Sequence, residues 1–222
     1  MLLVEPKFQS LIAGDCLTRE EFIERWNQLP DLKFAELIDG VVYMPSPLSV
    51  EHSENDGLVS TWLGSYAAET PGCTIGLNAT WYMLDDAPQP DVHLRIARDG
   101  ESSWIEEGFF HGAPEFVAET CKTSTSYDLH QKKDLYAAAG VKEYLAVLVK
   151  EREVRWHRLV GDNYQLLPCA PDGVIRSVVF PGLWLSVEAL FNGDLRGLLQ
   201  TLDRGLATPE HTEFVERLAR KP

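Results

Sequence analysis

A chain of 222 residues, 45% of them apolar, can build the core of one domain with appendages, and it is short for two full domains. With 34 acids against 20 bases the net charge is −14, which excludes a basic surface spread over the whole molecule. Any grip on nucleic acid has to come from a local groove, whereas the acid surplus suits a site that concentrates cations. No window approaches the roughly 18 consecutive apolar residues of a membrane span, and Met1–Val4 is followed by Glu5 and Lys7, so neither a transmembrane helix nor a secretory leader is expected. Cys16, Cys73, Cys121 and Cys169 stand far apart without CxxC spacing. They read as scattered, mostly buried thiols of a reducing cytoplasm.

Thr18 and Glu21 match a capping box, and Phe22, Ile23 and Trp26 form one apolar stripe, which predicts a helix over about 19–28, stopped by Pro30. Asp39-Gly40 lies between the apolar runs 34–38 and 41–44 and signals a two-residue hairpin. Val50, Leu58, Val59, Trp62, Leu63 and Tyr66 fall at helical spacing over 50–69, and Pro71-Gly72 ends that helix. Strands are expected over 73–77, 79–84 and 91–96, a surface loop over 98–108, and a central strand over 115–121. Residues 128–139 read as a helix with Gly140 as its cap. Strands over 144–149, 154–159, 164–167 and 174–179 follow, then a helical stripe of Leu195, Leu198, Leu199 and Leu202. The polar stretch after Ala207 reads as frayed or used for association. The order of elements describes an α/β protein of the α+β mixed-sheet kind, with helices on the sheet faces and added β-hairpins. It divides into a helical extension over 1–33, the main domain over 34–195 and a helical tail over 196–222.

The chemistry concentrates on two acids. Glu119 interrupts the apolar run Phe116-Val117-Ala118-Glu119-Thr120-Cys121, and an ionised carboxylate in a buried strand is costly unless something pairs with it. Asp91 follows the turn Ala87-Pro88-Gln89-Pro90, where a strand begins. Two carboxylates delivered by neighbouring strands repel, and a divalent cation relieves the repulsion; hard oxygen ligands suit Mg²⁺ or Mn²⁺ better than zinc. Asp91 alone could equally cap its turn, and Glu119 could pair with a lysine. Lys132 lies on the stripe of Leu129 and Tyr136, but Lys133 shares almost the same face, so spacing does not choose between them. Glu36 is either a site acid or an edge residue of its hairpin, His52 either a catalyst or a cap, and Tyr136 either a phosphate contact or core. Trp81, Tyr82 and Trp104 could stack on unpaired bases or anchor core and loop. GxSxG, GxxxxGK[ST], HExxH and GxGxxG are absent, and the acids have no spacing that selects a glycosidase pair.

Several short strings, in order, resemble the Uma family of endonucleases, members of the PD-(D/E)XK restriction-endonuclease-like superfamily. They are Glu36-Leu37-Ile38-Asp39-Gly40, Met44-Pro45-Ser46-Pro47, His52, Gln89-Pro90-Asp91 and Gly112-Ala113-Pro114 leading to Glu119. Ser124-Thr125, Asp128-Leu129, Lys132 through Tyr136 to Val141, Tyr144 and Pro181-Gly182-Leu183 continue the series over roughly 34–191. The resemblance implies a restriction-endonuclease-like core that cuts DNA, with Asp91 and Glu119 holding Mg²⁺ or Mn²⁺, Glu36 as an accessory acid, and Lys132 at the scissile phosphate or attacking water. It also implies a homodimer, the simplest arrangement for cutting both strands. The chain departs from the superfamily pattern where an ExK lysine would fall: that position is Cys121, and Lys122 points to the opposite strand face. A catalytically inactive nuclease-fold module that binds a protein or nucleic-acid partner is the alternative, favoured by the charge and by Cys121.

Overall fold

The computed structural model describes residues 10–44, 47, 49–97, 103–122 and 130–220. Pro45 and Ser46, the start of the 98–108 stretch, and Ser124, Thr125, Asp128 and Leu129 lie outside these. A six-stranded mixed sheet organises the chain. From one edge to the other it runs β11 (Asn163–Leu166), β10 (Glu153–Val160), β9 (Glu143–Leu148), β8 (Phe116–Cys121), β5 (Val92–Ile96) and β3 (Cys73–Leu77). All neighbours are antiparallel except β8 and β9, which are parallel and joined through the helix α3 (Gln131–Ala139). A parallel pair needs such a crossover because the chain must return to the same end of the sheet.

Strand alternation divides the interior between the two faces of this sheet. Val92, Leu94, Phe116, Ala118, Leu145, Val147 and Trp156 point to one face and pack with Val59, Trp62, Leu63 and Tyr66 of α2 (Val50–Glu69). Leu198 and Leu202 of a C-terminal helix belong to the same cluster, as do Phe214 and Leu218 of the helix that follows it. Those two are α5 (Leu195–Leu206) and α6 (Pro209–Arg220). The stretch after Ala207, read as part of a helical tail that frays or serves association, is a helix, because Phe214 and Leu218 give it an apolar stripe to bury. The opposite face carries Val117, Cys121, Tyr144, Ala146 and Leu148, covered by Leu135 and Tyr136 of α3.

The capping box forms: Glu21 N–H donates to Thr18 Oγ1 at 3.2 Å and Thr18 N–H to Glu21 Oε2 at 3.0 Å, which starts α1 (Arg19–Asn27). Asp39 and Gly40 both adopt positive φ, 52° and 68°, as a two-residue hairpin of this type demands. They join β1 (Glu36–Ile38) to β2 (Val41–Tyr43), and the Asp86 carboxylate accepts both turn amides at 2.9 and 3.1 Å. The 98–108 stretch differs from the expected loop. Its described part, with the residues after it, is a hairpin of β6 (Ser103–Glu106) and β7 (Phe109–Gly112), and β7 pairs with β4 (Trp81–Tyr82). The strand expected over 79–84 is only β4, and that expected over 174–179 is only β12 (Val174–Arg176), which pairs with β13 (Trp184–Ser186) ahead of α4 (Val187–Phe191). Two of the four thiols, Cys16 and Cys169, are exposed, because they sit outside the strands and helices that form the core. Among the described residues no helix is long and apolar enough to cross a membrane.

A buried carboxylate that the sequence reading did not single out, Glu143, holds the loop before β13. It accepts Trp156 Nε1–H at 3.2 Å, Ser177 Oγ–H at 2.7 Å, and the Val178 and Val179 amides at 2.7 and 3.0 Å. Burial raises its pKa above the usual carboxylate range against the pull of these donors.

His157, in β10, is buried against Tyr144 with stacked rings 5.9 Å apart, and its Nδ1 has no hydrogen-bond partner among the described residues. Burial first, and the Lys133 charge second, push its pKa down from 6.5 to about 4. The unfolded chain therefore takes up a proton that the native state refuses, so this contribution to stability is complete above pH 6.5 and is lost as pH falls toward about 4. His157→Phe should flatten the acid limb of a pH series of urea unfolding, by up to about 1.4 kcal/mol per pH unit in that window. Parallel curves for the two proteins would show that His157 does not titrate in this way.

Candidate functional site

The site begins with Glu119 in the middle of β8, flanked on the same strand face by Val117 and Cys121. Only 2% exposed, it takes its compensating charge from the next element in the chain. Helix α3 returns over that face with Lys132 and Tyr136 one turn apart, turned toward the sheet. Lys132 Nζ lies 3.0 Å from Glu119 Oε1, and Tyr136 Oη donates to the same oxygen at 2.6 Å. The tyrosine pKa is driven well above its usual value, by burial first and then by the Glu119 charge, so Tyr136 serves as a neutral donor.

The second carboxylate arrives from the β1–β2 hairpin. Glu36 Oε1 lies 2.8 Å from Lys132 Nζ and accepts the Gln89 amide at 2.7 Å. The reciprocal hydrogen bonds of Leu37 and Ala87, at 3.2 and 3.0 Å, dock β1 on the segment that leads into β5. Lys132 is only 3% exposed, and its ammonium lies between two carboxylates. Lys133 instead lines a surface groove with Asp134, Asp162 and Tyr164, and Lys122 is exposed beyond the end of β8. Cys121, where an ExK lysine would fall, is fully enclosed in the apolar cluster, and the cation of the site comes from α3.

Asp91 stands at the entrance to β5, whose pairing of Val92 with Ala118 brings it alongside the end of β8, and its Oδ2 accepts the Thr120 amide at 2.8 Å. Across from it α2 presents His52 and Asp56, one turn apart, with Nε2 and Oδ2 separated by 3.1 Å. One ligand atom from each of His52, Asp56 and Asp91 lies within 4.8 Å of the others, a set able to hold a metal ion. Asp56 Oδ1 is buried with no hydrogen-bond partner among the described residues. His52 also sits at the start of its helix, where its amide donates to the Ser49 side chain at 3.3 Å. The structure thus joins Glu36, Glu119 and Lys132 directly, and places Asp91 in a cluster with His52 and Asp56. Sequence reasoning missed Asp56, whose signal was its i,i+4 spacing from His52.

A mixed sheet with a parallel β8–α3–β9 crossover carries on one face the Lys132 ammonium between Glu36 and Glu119. The solved structure described as a putative nuclease belonging to DUF820 from Anabaena variabilis has the same fold, with a TM-score of 0.62 over 80% of this chain and 98% of that one at 19% identity. Residues 19–188 match the Uma2 family, described as "Putative restriction endonuclease", and the chain belongs to that family. No curated protein matches the sequence.

The two lysines can be separated by stability. Lys132→Met leaves the buried Glu119 and the partly buried Glu36 without their cation and should lower the free energy of unfolding by about 3 kcal/mol. Lys133→Met should stay within about 0.5 kcal/mol of the native protein. Equal losses in urea titrations would contradict the burial difference between the two side chains.

Proposed function

We propose that this protein is a divalent-metal-dependent endonuclease that hydrolyses DNA phosphodiester bonds, with Glu36, Asp91, Glu119 and Lys132 as its catalytic residues. The observation that supports this most directly is the ammonium of Lys132 held between Glu36 and Glu119 beside the Asp91 cluster. Family membership supports the nuclease class.

The residues present fit a divalent ion. Asp91 and Glu119 would hold Mg²⁺ or Mn²⁺; the atoms gathered within 4.8 Å are those of Asp91, His52 and Asp56, so the buried Asp56 Oδ1 and the His52 imidazole would complete or orient the ligand set on the Asp91 side. When bound, such an ion stabilises charge on the phosphate and makes a bound water more acidic. The chain's own residues do the remainder. Lys132 contributes positive charge for a phosphate oxygen or the attacking water, and its two carboxylate partners hold the ammonium in place. Tyr136 fixes the orientation of the Glu119 carboxylate through its 2.6 Å hydrogen bond. Thr120 does the same for Asp91 through its backbone amide. The reading includes a homodimer, one copy for each DNA strand, in a reducing cytoplasm that keeps the four thiols free.

Incubated with supercoiled plasmid and with single-stranded DNA in Mn²⁺ or Mg²⁺, the native protein should cleave. Glu119→Ala and Lys132→Met should each lower the rate about 100-fold or more. Identical cleavage by the native protein and both folded variants would remove these residues from the mechanism. Metal binding has its own readout. Millimolar Mn²⁺ should raise the melting temperature, since only the native state assembles the site, and Asp56→Asn should weaken the apparent affinity about ten-fold. A melting temperature indifferent to the ion would count against the site.

A further inference from the structure

The small sheet β4-β7-β6 has two unlike faces. One face sends Trp81 and Phe110 into the core, their rings stacked 4.6 Å apart beside His93. The other face bears a continuous row of rings. Trp104 stacks on His111 at 5.4 Å, His111 meets Tyr82 edge-on at 4.9 Å, and Tyr82 stacks on Phe109 at 5.0 Å. The row is open to solvent: Trp104 is 56% and Phe109 37% exposed. More than half of the Trp104 indole therefore stays in water although it stacks on His111.

Among the described residues Arg19 is the cation that touches the row, and it is paired with Glu20 at 3.7 Å, so the rings and not charge carry the attraction of this face. The Arg19 guanidinium lies 5.4 Å over the Tyr82 ring and is held by the Leu84 carbonyl. The nearby Glu106 carboxylate accepts the Trp104 indole N–H at 3.3 Å. The row is also tied to the candidate active site by a chain of short contacts. Lys132 contacts Glu36, Glu36 accepts the Gln89 amide, and the Gln89 side chain donates to Thr80 Oγ1 at 2.8 Å, next to Trp81 and Tyr82. Trp81 in turn donates its indole N–H to His93 Nδ1 at 3.2 Å, and the His93 ring packs so closely on Gly76 that a Cβ there would collide with it. The platform is therefore anchored on both sides of the Asp91 turn.

We propose that this aromatic row is a stacking platform for unpaired bases, which makes single-stranded DNA, or a single-stranded segment of a duplex, the preferred substrate; the inference rests on the nuclease reading above. A protein with a net charge of −14 gains little from neutralising phosphates over a wide surface. Trp104 and Phe109, the exposed rings of the row, can each stack on a base without regard to sequence and with few cations, so stacking is the mode open to such a chain.

The test is fluorescence anisotropy of a labelled oligothymidylate with the full chain in EDTA, which removes cleavage from the measurement. The native protein should bind the single strand more tightly than a duplex of equal length. Trp104→Ala and Phe109→Ala should each weaken single-strand binding roughly ten-fold, whereas Trp104→Phe should retain most of it. Both alanine positions are exposed, so circular dichroism should confirm that the variants fold. Equal binding of oligouridylate would support the same platform with either sugar. Native affinity in both alanine variants would overturn the inference, and metal-dependent cleavage by the native protein would still stand. Loss of a dimer in the alanine variants at unchanged DNA affinity would also overturn it, by assigning the surface to a second copy. Platform-dependent binding without any cleavage would uphold the platform while the nuclease reading fell.

Discussion

The ammonium of Lys132 between the carboxylates of Glu36 and Glu119 is the interaction on which the rest of this face depends. A carboxylate in the centre of a sheet is unfavourable by several kcal/mol unless it is compensated. The compensation comes from a helix that lies over that face only because β8 and β9 run parallel and need a crossover. The same ammonium draws in Glu36, and with it the whole β1–β2 hairpin, which is further held by Leu37, Ala87 and the Asp86 carboxylate. One cation on α3 thus joins the strand before it to a hairpin distant in the chain.

A comparison with Glu143 shows why burial alone does not mark chemistry. Both acids sit in central strands, but Glu143 faces the α2 side and is satisfied by four N–H and O–H donors from Trp156, Ser177, Val178 and Val179. Those bonds fasten a loop. Glu119 is held by a lysine and a tyrosine, next to an acidic cluster containing an Asp56 oxygen with no hydrogen-bond partner among the described residues. Glu143 is thus satisfied by dipoles, and Glu119 by a cation and a hydroxyl.

The hairpin of β6 and β7 adds a part that the central sheet does not require. It buries Phe110 and leaves Trp104 and Phe109 outward, so it is attached through one face only. Its contacts with Trp81 and His93 tie the hairpin to β5, the strand that follows Asp91.

By itself the sequence determined whatever depends on neighbours along the chain. The capping box at Thr18, the Asp39-Gly40 turn, the α2 stripe and the helix end at Gly140 are short-range preferences, and each forms as its residues dictate. The acid within the apolar run at Glu119 and the turn before Asp91 were legible for the same reason. The choice between Lys132 and Lys133 was not, since adjacent residues lie only about 100° apart on a helix and the docking angle of α3 decides which is buried. Glu143 escaped notice because it opens its strand after Val141-Lys142, and nothing local reveals that four donors converge on it. The 98–108 stretch read as a loop because strands with one exposed face and a Glu106-Glu107-Gly108 tip lack an apolar run. Only the tertiary structure set Asp56 beside Asp91, and Trp104, His111, Tyr82 and Phe109 in one row. Contacts between distant segments depend on sheet register and helix packing, which no single stretch of sequence encodes.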